Sequence, residues 1–181
     1  MSLLNKNLSI LLIGDGHLSS FLKPLLNEKG LPFQASSRKS DYNYLELDRY
    51  EKSTIRIDNF STVIWMIPPH PNTLMALKKL NMSQQKLIFI SSTSVYSKNP
   101  KDNGAFQESS PIAPTTRNGK LLSQAEEWIQ KNLTNWAILR PGGLIDQNRH
   151  PFKWFSPQSK ISDGNSLINF IHTEDLARLI L

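Results

Sequence analysis

LSILLIGDGHLSS, residues 8–20, is the stretch whose reading decides the fold. The run LSILLI carries almost no polar side chain, as a parallel strand covered on both faces requires. His17 to Glu28 then reads as a helix, so Gly14 to Ser20 joins a strand to a helix start. Gly14 permits the tight turn there, and Gly16 lets a backbone approach a pyrophosphate. The free amides at the helix start, with His17 and Leu18 at its head, can bind the pyrophosphate oxygens. Ser19 stands where a third glycine is usual and is small enough to keep helix and strand close. Asp15 adds a negative charge that cannot face phosphate without cost. An ordinary strand-to-helix turn would use the same residues, so two glycines alone do not choose between the readings.

Working outward, further short apolar segments alternate with amphipathic or polar ones. Candidate strands are 8–13, PFQAS at 32–36, YLEL at 44–47, TVIWMI at 62–67, KLIFIS at 86–91, WAILR at 136–140 and LINFI at 167–171. A second helix is expected over Leu121 to Leu133, where Leu122, Ala125, Ile129 and Leu133 form one apolar stripe. This alternation predicts an α/β, Rossmann-like, doubly wound and mostly parallel sheet with helices on both faces. Pro24 lies inside the first helix and removes an amide that would bond back to Ser20, so a kink or early end is expected there.

The 181 residues suit one domain, since a chain of this length buries roughly 70% of its unfolded surface. With 39% hydrophobic and 20% charged residues, the composition is that of a globular protein and argues against disorder. There are no cysteines, which excludes disulfides and thiolate chemistry and is compatible with a reducing cytoplasm, the expected location. LSILLI is too short to span a membrane. The net charge of +6 is spread over 21 Lys and Arg without a dense cluster, so a solvated basic surface is expected rather than a nucleic-acid interface. That surface would favour a phosphorylated small ligand. His17, His70, His150 and His172 show no metal-ligand spacing, and no metal is expected.

The second strand leads into ASSRKSD. An NAD-preferring site usually places an acid about 20 residues beyond the glycine loop. Ser36, Ser37, Arg38 and Lys39 stand there instead, and two hydroxyls with two cations suit a 2′-phosphate. NADP is therefore expected ahead of NAD, although an exposed basic turn has the same composition.

IFISSTSVY at 88–96, ILRPGGLI at 138–145 and FIHTEDLARLI at 170–180 follow the glycine loop in order. Together these four segments resemble the extended and atypical short-chain dehydrogenases/reductases, the NAD-dependent epimerase/dehydratase group, over nearly the whole chain. In that family a Ser or Thr, a Tyr and a Lys form the catalytic set, with the Tyr four residues before the Lys. The resemblance places the hydroxyl at Ser92 and the lysine at Lys120, and puts Thr116 where the tyrosine would stand. A serine capping a strand end and a lysine in a first helical turn would also account for Ser92 and Lys120.

No Tyr-x-x-x-Lys occurs, because Tyr42, Tyr44, Tyr50 and Tyr96 are followed four residues on by Glu46, Asp48, Thr54 and Pro100. A phenol titrates near 10 and a neighbouring ammonium can lower that, whereas an aliphatic hydroxyl is far less acidic, so Thr116 should not replace it as acid/base. Lys120 retains a purpose, since the family lysine also holds the nicotinamide ribose. Tyr96 is a candidate displaced acid. The resemblance further implies cofactor contacts at Asp48, near the adenine, at Ile67, Pro68 and Pro69 on the fourth-strand exit, and at Pro141 and Gly142. Asp48 equally suits a helix N-cap. Thr173 and Asp175 are expected at a helix start rather than as ligands.

Extended members of the group continue past the Ile-His-x-x-Asp helix to build a substrate lobe, whereas this sequence stops within that helix. A single domain over 1–181 with a minimal lobe is therefore expected, with the loop from Asp146 to Asn165, including Arg149, Lys153, Trp154 and Phe155, left to meet a substrate. A homodimer is expected to cover the apolar surface so exposed. The resemblance implies an oxidoreductase acting on a nucleotide sugar or another small carbonyl or hydroxyl compound. The missing tyrosine speaks instead for a non-catalytic NADP-binding sensor or partner subunit.

Overall fold

A computed structural model describes residues 9–36, 38, 44–96, 106–151 and 168–181. Five strands, β1 (Ile10–Ile13), β2 (Phe33–Ala35), β3 (Thr62–Trp65), β4 (Lys86–Ile90) and β5 (Trp136–Leu139), form one sheet in the order β2-β1-β3-β4-β5. Every pairing in it is parallel. Leu12, for example, lies opposite Ala35 on one side and Ile64 on the other.

The strands are apolar along their length because each face is covered. Leu11, Ile13, Val63, Trp65, Leu87 and Phe89 point to one face and pack with Ala76 and Leu77 of α2 (Thr73–Leu80) and Leu122, Ala125 and Ile129 of α3 (Arg117–Asn132). The alternate residues Leu12, Ile64 and Ile88 point to the other face. There they meet Leu18, Leu22 and Leu26 of α1 (His17–Glu28) and Leu176, Ala177 and Ile180 of α4 (Thr173–Ile180). Two-residue alternation on the strands thus feeds two separate cores, with helices on both faces as the sequence predicts. A small parallel pair, β6 (Gly143–Ile145) with β7 (Phe170–His172), lies beyond the main sheet.

Several expectations need correction. YLEL at 44–47 is not a strand: Tyr44 forms an isolated bridge, its amide and carbonyl bonding to Thr54, and a 3-10 helix follows over Leu47–Lys52. Leu45 and Leu47 are nevertheless buried in the core, so the segment's apolar residues serve packing without joining the sheet. α1 does not end at Pro24 but continues to Glu28, because Leu22 and Leu26 on either side anchor the last turn in the core. α3 begins at Arg117, four residues ahead of the expected start, where Thr116 caps it. α2 has no counterpart among the expected elements. The LINFI segment contributes β7 only from Phe170, and it pairs with β6 rather than with the main sheet.

Candidate functional site

The carboxyl ends of β1 and β3 meet at the glycine loop. Gly14 has φ +108°, a conformation that L side chains rarely adopt, and a Cβ there would sit 3.1 Å from the Ile67 amide nitrogen and the Met66 carbonyl carbon. The turn is therefore pressed against the exit of β3, which continues through Ile67, Pro68 and Pro69. Gly16 is different, since a Cβ on it would meet nothing within 4 Å. It is the N-cap of α1, a helix with no side-chain cap and no acidic residue in its first turn. The leading amides of α1 are thus left for a ligand or water, the arrangement that binds anions. Leu18 is itself buried against the sheet, so only its backbone faces that end of the helix.

Asp15 does not oppose an anion at this loop. Its carboxylate accepts from Lys23 at 2.5 Å and from the Ser19 hydroxyl at 3.1 Å. Ser19 is fully buried and fills the third-glycine position. Ser36, read from sequence as a hydroxyl for a 2′-phosphate, also supports the glycine turn: its oxygen accepts from the Gly14 amide at 2.9 Å and the side chain is buried. Arg38 is exposed beside it, while Ser37 and Lys39 lie outside the described residues. Asp48 is exposed and pairs with Nε2 of His70 at 3.2 Å, and the N-cap of its 3-10 helix is Glu46. That pair ties the segment after Tyr44 to the IPPH exit of β3.

A second group of residues escaped the sequence reading. Asp146, at the end of β6, accepts from His17 Nε2 at 2.5 Å and from the Thr173 hydroxyl at 2.9 Å through one carboxylate oxygen. Its other oxygen accepts the Asn148 and Arg149 amides at 2.9 and 3.1 Å. Burial pushes the Asp146 carboxyl up, but the bonds from His17, Thr173 and the Asn148 amide outweigh it and hold the group well below the usual carboxylate range. One carboxylate thereby joins the glycine loop, the small sheet and the start of α4. Thr173 is a helix-start residue as expected, although the N-cap itself is His172. No spacing rule links residues 17 and 146, so only the fold could reveal the pair.

The segments after β4 and β5 and the residues before α3 border an open cavity of about 350 Å³ lined by Ser92, Thr93, Ser94, Tyr96, Thr115, Thr116, Gly142 and Gly143. The structure thus brings Ser92, Tyr96, Thr116 and Gly142 together. Ser92 Oγ accepts from the Ser94 amide at 3.1 Å, capping a single 3-10 turn, and keeps its proton for another partner. Thr116 Oγ1 accepts from the Gly119 amide at 3.0 Å as the N-cap of α3. Pro141 accepts from the Thr93 amide at 3.1 Å. Lys120, exposed in the first turn of α3, is not among the lining residues.

Tyr96 is buried, stacked on Phe106 with centroids 4.9 Å apart and with the Arg140 guanidinium 5.1 Å from its ring. Its hydroxyl accepts from Arg140 Nη1 at 2.7 Å. Arg140 in turn holds the fully buried Glu126, which also accepts from the Ser91 hydroxyl. Ser91 therefore points to the core, and the next residue, Ser92, faces the cavity.

Against known proteins, no family model matches the chain. Protein YeeZ of Escherichia coli K12 is 38% identical over 93 residues, half of this chain and 32% of YeeZ, so the chain matches only about a third of the length of that relative. Among solved structures, RMD from Pseudomonas aeruginosa complexed with NADPH superposes with a TM-score of 0.68 at 14% identity, covering 94% of this chain and 72% of that one. A human epimerase family protein with NADPH gives 0.68 at 15%, covering 95% and 68%. UDP-glucose 4-epimerase of Thermus thermophilus complexed with NAD gives 0.67 at 17%, covering 94% and 72%. The fold is that of the Rossmann-like epimerases and reductases.

Proposed function

We propose that this chain is an NAD(P)-binding domain of the atypical short-chain dehydrogenase/reductase, epimerase/dehydratase-like kind. The observation that carries the reading is the loop at Gly14 and Gly16, where an open glycine and an uncapped helix start stand at the carboxyl edge of a parallel sheet. Superposition on proteins solved with NADPH or NAD supports it. The residues fit the group: the helix amides would take the diphosphate, the exit through Ile67, Pro68 and Pro69 would flank it, and Asp48 would lie toward the adenine. Pro141 and Gly142 would border the nicotinamide, and Lys120, exposed at the start of α3 outside the cavity lining, is the residue the family resemblance assigns to its ribose. The bound cofactor would supply hydride transfer at C4 of the nicotinamide.

Ser92 then polarises a substrate carbonyl or hydroxyl in the open cavity, whose wall is completed by Thr116 and Tyr96. A small carbonyl compound or a nucleotide sugar is the substrate class this reading implies. The exposed Arg38 favours NADP over NAD, with Ser37 and Lys39 beside it in sequence. Titrating the protein with NADPH and NADH by calorimetry, each repeated in Arg38→Ala, tests the assignment. Tight NADPH binding that weakens in Arg38→Ala supports it, and absence of binding by either nucleotide overturns it.

A second reading, a cofactor-binding module without catalysis, is favoured by Thr116, whose hydroxyl caps a helix and cannot replace a phenol. Cofactor binding without turnover of any carbonyl or nucleotide-sugar substrate would select it. Assembly as a homodimer and residence in the cytoplasm accompany either reading.

A further inference from the structure

The His17–Asp146 pair lies at the head of the helix to which the diphosphate is assigned, and neither the glycine loop nor the hydroxyl-lined cavity accounts for it. Asp146 is an ionised carboxylate with its side chain only 3% exposed, and both of its oxygens accept. It can therefore hold His17 only through a proton on Nε2, which fixes the tautomer of the neutral ring. The Phe21 ring, edge-on at 5.3 Å, closes another side. At the first helical position the side chain leans back over the loop that precedes it, and the imidazole remains 23% exposed.

We propose that His17 is a specificity-determining residue of the dinucleotide site, its imidazole pinned at Nε2 by Asp146 so that Nδ1 meets the diphosphate. The inference rests on the assignment of a dinucleotide to this loop. Asp146 is a positioning residue that acts through His17. When the ring takes a second proton, Nδ1 donates a charge-assisted hydrogen bond to the anion. The affinity for diphosphate-bearing ligands then falls as rising pH removes that second proton.

Two of the other charged groups nearby are already matched. Asp15 is turned to Lys23 on α1, and Glu174 is paired with Arg178 on α4. The turn after β6 adds Arg149, and Asp175 is exposed on α4. His172 accepts from the Glu174 amide and is a second imidazole at the start of α4, so substitution of His17 is needed to separate the two.

The test is calorimetric titration with NADPH, ADP-ribose and adenosine between pH 5.5 and 8, on the wild type, His17→Gln and Asp146→Asn. Gln keeps a donor for Asp146 but offers no second nitrogen. We expect His17→Gln to weaken NADPH and ADP-ribose about tenfold at pH 6, to leave adenosine unchanged and to flatten the pH profile. Asp146→Asn should weaken the same two ligands. Equal affinities and pH profiles in wild type and His17→Gln overturn the inference and leave the dinucleotide assignment standing. Failure of the wild type to bind NADPH, NADH or ADP-ribose at any pH overturns that assignment and the inference with it. Should His17→Gln fail to fold, nitrogen-15 resonances of the wild-type imidazole read the same contact: a shift of Nδ1 on adding ADP-ribose supports it, and an unmoved Nδ1 overturns it.

Discussion

Arg140 clasps Glu126 through two groups, Nη2 at 2.7 Å from Oε2 and Nε at 3.2 Å from both carboxylate oxygens. Glu126 is fully buried and the Arg140 side chain is 14% exposed, so neither charge can be left alone at low cost. Replacing Arg140 with Met strands the carboxylate and should lower stability by about 3–5 kcal/mol in urea denaturation. Glu126→Gln combined with Arg140→Met should recover part of that loss, because no unpaired charge remains. Equal losses in the single and double variants would show that packing, not charge, dominates.

Gly119 and Gly16 should respond in opposite ways to alanine. A Cβ at Gly119 would lie 2.2 Å from the Ser94 carbonyl oxygen, which is backbone and cannot swing aside. Gly119→Ala should cost about 1–3 kcal/mol, more than the gain in helix propensity, and should displace the start of α3 from the Ser92 cavity. Gly16→Ala should leave the melting temperature nearly unchanged and weaken NADPH, since its methyl group would occupy the space a diphosphate needs. Calorimetry beside thermal melting separates the two effects.

Acid stability should depend on Asp146. Its folded-state carboxyl is held below the unfolded value near 3.9, so the unfolded chain binds more protons in that window and stability falls as pH falls. The contribution is fully present above about pH 5 and is lost progressively below 4. Melting temperatures of Asp146→Asn should therefore converge with those of the wild type on acidification from pH 6 to 3. Parallel curves would refute this account.

Ser36→Ala removes the acceptor of the Gly14 amide and should cost about 1–3 kcal/mol by chemical denaturation. Ser36→Thr, which keeps the hydroxyl, should retain more stability. A loss of NADPH selectivity without loss of stability would instead return Ser36 to the 2′-phosphate.

The strands and their enclosure were legible because β1, β3 and β4 are apolar on both faces, a pattern that few other environments tolerate. The glycine loop was legible for a similar reason, since Gly14 holds a backbone angle other residues avoid. Ser92 and Thr116 could be named from motif order. That each also serves as a helix cap depends on where the chain turns.

Other features could be settled only by tertiary structure. Tyr44 to Leu47 carries strand-like residues, yet its backbone bonds to Thr54, a competition between distant partners that local propensity does not register. Ser36 has a hydroxyl suited to phosphate, and proximity to Gly14 gives it a different partner. His17 and Asp146 are 129 positions apart and meet because β1 and β6 end on the same side of the fold. Hydrophobic periodicity and backbone permissiveness are written residue by residue, so the layers and the tight turn at Gly14 could be read without the fold. Hydrogen-bond partnership depends on which chain ends converge, so the commitments of Ser36, Tyr96, Glu126 and Asp146 were decided only once the sheet had brought those ends together.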